Sequence, residues 1–152
     1  MRRLYLFLIA AGLVVFLAVS AMLARVWSAQ GAESAAITTL VKDEAHGDQA
    51  GVIAQITGCR GDAACRARAA ANVAALRRPG SVLIITLQPS TGFSLVGSTG
   101  TARVAWLVGS SLPIVQCVRV RRAGNAISGL RVQLLTVSLR IHPSSGPCPA
   151  RF

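Results

Sequence analysis

Acidic residues are what this chain lacks. It has five (Glu33, Asp43, Glu44, Asp48 and Asp62) against sixteen basic ones, for a formal charge of +11. From Cys65 to Phe152 every formal side-chain charge is an arginine. GC-rich coding explains arginine in place of lysine, but not the missing acids. A field of one sign favours anionic partners such as phospholipid headgroups, anionic wall polymers or an acidic protein face.

The same shortage weighs against acid–base catalysis, which needs a carboxylate or a His–Asp pair at the reacting group. Past Asp62 no acid is available, so such a group has to come from the first helices. No G-x-S-x-G elbow is present, and Gly97-Ser98-Thr99-Gly100 lacks the lysine and spacing of a phosphate loop. Neither cysteine pair has the short C-x2-C spacing that zinc sites use. His46, among Asp43, Glu44 and Asp48, reads as a solvated helix end, and His142 as a strand end. No metal, cofactor or catalytic residue is expected. Trp106 and Phe93 offer little for base stacking, so nucleic acid is not an expected partner.

What is present begins with Met1-Arg2-Arg3 and an uncharged run from Leu4 to Ala24, closed by Arg25. As a helix rising about 1.5 Å per residue, that run spans the roughly 30 Å hydrocarbon core of a bilayer. The leading arginines keep the start cytoplasmic and translocate the remainder. Residues 1–25 therefore read as a single-pass anchor in the cell membrane with an extracytoplasmic domain behind it. A secreted product is the alternative, with Val19-Ser20-Ala21 as a signal cleavage site, but the run exceeds a usual signal core of about 7–15 residues.

Residues 26–32 read as a spacer, 33–142 as one folded domain and 143–152 as a Pro-rich tail. Ile37, Leu40 and Val41 trace one helical face ended by Gly47. Asp48 caps a second helix with Val52, Ile53 and Ile56 inward, stopped by Gly58. Asp62 caps a third, striped by Cys65, Ala69, Val73 and Leu76 and ended by Pro79-Gly80. The period then becomes two. Val82 to Leu87 reads as a buried strand, Phe93 to Val96 as a short one, and Ala102–Val108 as half-buried. Ile114–Arg122 and Leu130–Ile141 complete an antiparallel meander. In the last strand Leu130, Val132 and Leu134 are apolar at even positions, but Leu135, Val137, Leu139 and Ile141 at odd ones. One face cannot bury both sets without an extra residue, so a β-bulge is expected at Leu134-Leu135. The fold class is α+β, with about three helices after the anchor packed on a curved antiparallel sheet.

Cys59, Cys65, Cys117 and Cys148 are even in number and allow three pairings. The expected bonds are Cys59–Cys65, closing a turn between helices, and Cys117–Cys148, pinning the tail to the sheet. Arg119 and Arg121 share a strand face with Cys117. A three-residue turn at Gly124-Asn125-Ala126 sets Arg119 opposite Arg131, and a two-residue turn sets Val118 there. Opposed like charges call for a counter-anion. Arg103, Arg119, Arg121 and Arg131 are therefore the candidate partner-binding residues.

The order of elements resembles the nuclear-transport-factor-two-like (cystatin-like) superfamily, in the form carried by small membrane-tethered actinobacterial envelope proteins. The resemblance covers Glu33 to Ile141. It is carried by the helical start Asp48-Gln49-Ala50, by Val115-Gln116-Cys117-Val118-Arg119-Val120 and by the long bulged last strand. It implies a cone-shaped roll with an apolar pocket, here lined by Val82, Ile84, Trp106, Val118 and Val132. The plan of one membrane helix plus a roll also resembles subunits of type IV secretion and conjugation machines, and accessory proteins of mycobacterial lipid-uptake complexes. The leading expectation is a non-enzymatic, envelope-tethered binding or assembly domain whose partner is an anionic envelope component or a protein. A carrier of a small hydrophobic ligand is the alternative, and a cyclase-like or isomerase-like enzyme stands last.

Overall fold

The computed structural model describes residues 2–90, 96–125, 129–142, 144, 146–149 and 152. Three helices lie on one face of a four-stranded antiparallel sheet. They are α1 (Arg2–His46), α2 (Gln49–Gln55) and α3 (Ala63–Leu76), with a 3-10 turn at Cys59–Gly61 before α3. The strands β1 (Val82–Gln88), β2 (Val96–Val108), β3 (Ile114–Asn125) and β4 (Gly129–Val137) are neighbours in chain order.

α1 is one unbroken helix through the expected spacer at 26–32, and Ala29 is already buried. Large apolar side chains from Tyr5 to Leu23 stand exposed. This is the one helix among the described residues long and apolar enough to cross a membrane. From Ala29 onward the same helix packs: Glu33, Ile37, Leu40, Val41 and Glu44 are fully buried. Their 4-3-1-3 spacing is the helical period, so one stripe serves the whole domain half of α1.

Gly47 ends α1 in the left-handed region, at φ 85°. Its N–H donates to Glu44 O, and the N–H of Asp48 donates to Asp43 O at 2.8 Å. These bonds satisfy carbonyls that the helix end leaves without partners. Asp48 then caps α2 by accepting from Gly51 N, and Asp62 caps α3 by accepting from Ala64 N and Cys65 N. Val52 and Ile56 are buried and Ile53 packs against them. Along α3, Ala69, Val73 and Leu76 are buried and Cys65 packs on the core. Gly47, Asp48 and Asp62 act where the sequence places them, but α2 ends at Gln55 and α3 at Leu76, each about three residues before the expected Gly58 and Pro79-Gly80 stops.

The bulge also falls in place. Val120 pairs with Leu134 and Arg119 with Thr136, which leaves Leu135 as the extra residue. Leu134 and Val137 are consequently both buried, although their positions differ in parity. The strand expected to reach Ile141 ends at Val137. Beyond it, Ser138 N–H donates to Cys117 O and Ile141 forms a single bridge with Val115.

Two strand expectations need correction. β1 is a sheet edge with helices on its inner face alone, so Leu83 and Ile85 stand 60% and 48% exposed instead of buried. β3 continues through Gly124-Asn125, which pairs with Leu130 and Gly129, so neither expected turn forms. Of the short strand expected from Phe93 to Val96, residues 93–95 lie outside the described residues and Val96 opens β2.

Both disulfides form as expected, Cys59–Cys65 and Cys117–Cys148. The second covers the outer face of β3, where Val115 and Cys117 are buried although they point away from the helices.

Candidate functional site: a basic sheet face over a polar core

Parity along β3 divides the sheet. Ile114, Gln116, Val118, Val120 and Arg122 are buried toward the helices, while Arg119, Arg121 and Ala123 alternate with them on the outer face. Antiparallel partners share a face, so pairing extends this division across the sheet. Thr101 and Thr136 flank Arg119, Thr99 and Gln133 flank Arg121, and Ala123 pairs with Arg131. Arg119 is therefore not opposite Arg131, because the hairpin tip lies farther along than either expected turn. Arg103 pairs with Cys117, one diagonal step from Arg119. Arg103, Arg119, Arg121 and Arg131 thus descend the outer face as a staircase in which neighbours are about 7–8 Å apart or less. The four residues picked from the sequence come together, but through diagonals and not through one opposed pair.

The staircase has two halves. Arg103 donates to Gly146 O at 2.6 Å, and the Arg119 guanidinium stands 5.4 Å from the Phe152 ring centroid. Those two hold the tail. Arg121 and Arg131 are exposed. A cleft of about 340 Å³ adjoins Arg103, lined by Ile85, Thr86, Gln88, Ala105, Pro113 and Val115.

The five residues expected to line a pocket instead make the core. Trp106 and Val118 are fully buried, and Val82, Ile84 and Val132 pack against the same cluster. Ile37, Leu40 and Val41 of the α1 stripe belong to that same cluster.

Two buried carboxylates inside that core were not anticipated. Glu33 accepts from Ser90 N at 2.7 Å and Ser90 Oγ at 3.0 Å, and from Arg122 Nη2 at 2.7 Å and Nε at 3.0 Å. Gly100 makes room for this, since a Cβ there would lie 2.7 Å from Ser90 Cβ. Among the described residues no cation pairs with Glu44. It accepts from Asn72 Nδ2 at 2.9 Å and Gln116 Nε2 at 2.8 Å, and Gln116 Oε1 accepts from Trp106 Nε1. Asn72 Nδ2 and Gln116 Nε2 also donate to Ser138 O, just past the end of β4. Burial pushes the Glu44 carboxyl up to about 7, against the opposing pull of the Gln116 and Asn72 hydrogen bonds.

A signal for both acids was present: Glu33 and Glu44 are eleven residues apart, close to three helical turns, on the stripe of Ile37 and Leu40. Gln116 and Arg122 likewise share the even parity of Val118 and Val120.

The acid group at the end of α1 behaves differently. His46 is exposed, and Asp43 is held above its usual value by burial and then by Asp48, against the pull of His46. Among the described residues no set of three His, Cys, Asp or Glu side chains is placed to hold a metal ion. No known protein family, curated protein or solved structure matches the chain.

Proposed function

We propose that the chain is an envelope-tethered, non-catalytic binding domain, anchored by α1 with its disulfide-bonded half outside the cytoplasm, and that its outer sheet face engages an anionic partner. The observation that carries this reading is the segregation of charge. Four arginines share the outer face, whereas all five acids lie between Glu33 and Asp62, on the helices and their caps. The four strands contain no acidic residue. Two disulfides fit an oxidising compartment. The exposed apolar half of α1 fits an anchor. The nuclear-transport-factor-two-like roll belongs to this proposal too.

The test compares two charge reversals of equal size in the full chain: Arg121→Glu with Arg131→Glu on the sheet, and Lys42→Glu with Arg60→Glu on the helical side. Binding to immobilised polyglutamate and polyphosphate is measured for each. The sheet pair is expected to lose at least tenfold more affinity than the helical pair, because close charges dominate over net charge. Equal losses would show that overall charge alone is being read and would remove the sheet face from the account.

A further inference from the structure

The direction of α1 against the sheet fixes which end of the basic face meets the membrane. Glu33 touches Arg122 near one end of β3, and Glu44 touches Gln116 near the other. The two contacts are separated by about 16 Å along the helix and about 20 Å along the strand, and their order shows that α1 runs antiparallel to β3. Past Arg122, β3 therefore heads back toward the exposed apolar half of α1.

Trp27 marks where that half ends. It is 74% exposed, beside the last residues of the apolar run, and tryptophan favours the headgroup level of a bilayer. Glu33 stands six residues further on, about 9 Å along the axis. Ala123 and Arg131 form the rung one residue below Arg122, toward Trp27. That places the Arg131 backbone about 6 Å above the level of Trp27, within reach of an arginine side chain. Arg121 lies two residues higher and on the same face, its backbone about 12 Å above that level, so only the length of its side chain brings it within the roughly 10 Å over which an anionic surface is felt. No acid is available on this hairpin to oppose them.

We propose that the membrane-facing end of the β3–β4 hairpin rests, through Arg131 and Arg121, on the anionic phospholipid headgroups of the bilayer that α1 crosses. This rests on the anchored reading above and names the partner of the same face. Chain continuity supports it: α1 has no break between bilayer and core, and the Glu33–Arg122 ion pair holds the strand to the helix at the point of exit. The sheet is thereby presented to the membrane at a fixed height. An arginine close to the headgroups favours the docked arrangement roughly fivefold over an uncharged surface, and Arg121, standing higher, adds less than Arg131.

The experiment uses the full chain in vesicles of phosphatidylcholine, with or without about one third phosphatidylglycerol. The photo-crosslinker p-benzoylphenylalanine replaces Ala123, next to Arg131, or Leu112, at the opposite end of the sheet. Lipid adducts are read by mass spectrometry. At position 123 they are expected to rise at least fivefold with the anionic lipid and to fall with Arg131→Gln or in high salt. At position 112 they should stay at background. Equal yields in both lipids, equal yields at both positions, or adducts to a second protein chain would overturn the proposal. Flotation separates the two readings: a chain that floats without adducts at 123 loses only the headgroup contact. A chain that does not float loses the anchor as well.

Discussion

Glu33 and Arg122 meet at 2.7 Å inside the domain, 89 residues apart in sequence, and tie the long first helix to the third strand of the sheet. Both are almost without solvent exposure. Two charges taken out of water repay that cost only when every hydrogen bond is made. Here Ser90 completes the set through its N–H and hydroxyl.

Removing either partner should therefore cost far more than removing both. Glu33→Ala or Arg122→Met alone is expected to lose about 3–5 kcal/mol, because each strands a buried charge. The double variant Glu33→Leu/Arg122→Met should recover much of that loss. Chemical unfolding of the full chain in mild detergent, run as a double-mutant cycle, gives the coupling.

Glu44 makes stability depend on pH. Its carboxyl ionises near 4.5 when unfolded and near 7 in the folded chain, so folding takes up a proton between those values. The stabilisation is full below pH 4.5 and is lost as pH rises toward 7, by about 3 kcal/mol, with no further change from this group above that. Glu44→Gln should remove that slope. Unfolding midpoints from pH 4 to pH 8 check it, and a slope that survives the substitution would assign the titration elsewhere.

Much of the architecture was legible because it depends on local chemistry. Gly47, Asp48 and Asp62 stop and start helices through bonds made within a few residues. The switch from even to odd apolar positions at Leu134-Leu135 requires an extra residue whatever the sheet packs against. The β3–β4 register was not legible, since it depends on how far two strands zip before turning. Gly124-Asn125 has turn chemistry but is paired within β3. The buried acids were hidden for a related reason. A glutamate on an apolar stripe is interior only if distant residues satisfy it, and Arg122, Asn72 and Gln116 do so across 28 to 89 positions of sequence.

Gly100 is where β2 yields to that need. A methyl group there would meet Ser90 Cβ at 2.7 Å and Ser90 Cα at 3.5 Å, and Ser90 cannot retreat without leaving Glu33. Gly100→Ala should destabilise by about 1–3 kcal/mol, as overpacking does. Combined with Glu33→Ala the two losses should add to less than their sum, which thermal unfolding of the three variants would show.

The two disulfides should differ in weight. Cys117–Cys148 closes a loop of sequence separation 31 and Cys59–Cys65 one of 6. Loop-closure entropy alone gives roughly 4 and 2 kcal/mol respectively. Cys117→Ser/Cys148→Ser is expected to lower the unfolding temperature more than Cys59→Ser/Cys65→Ser. It should also loosen the tail that Arg103 and Arg119 hold, seen as faster amide exchange at Gly146 and Phe152.

The account depends on the domain standing outside the cytoplasmic membrane, in surroundings that keep its cysteines oxidised. The direct measurement is alkylation of expressing cells, outer layers permeable and cytoplasmic membrane intact, with a membrane-impermeant maleimide before and after impermeant reductant. The expected result is no labelling before reduction and labelling of the half-exposed Cys65 and Cys148 after it, without lysis. Free thiols at the outset, or cysteines reached only once the membrane is broken, would contradict it.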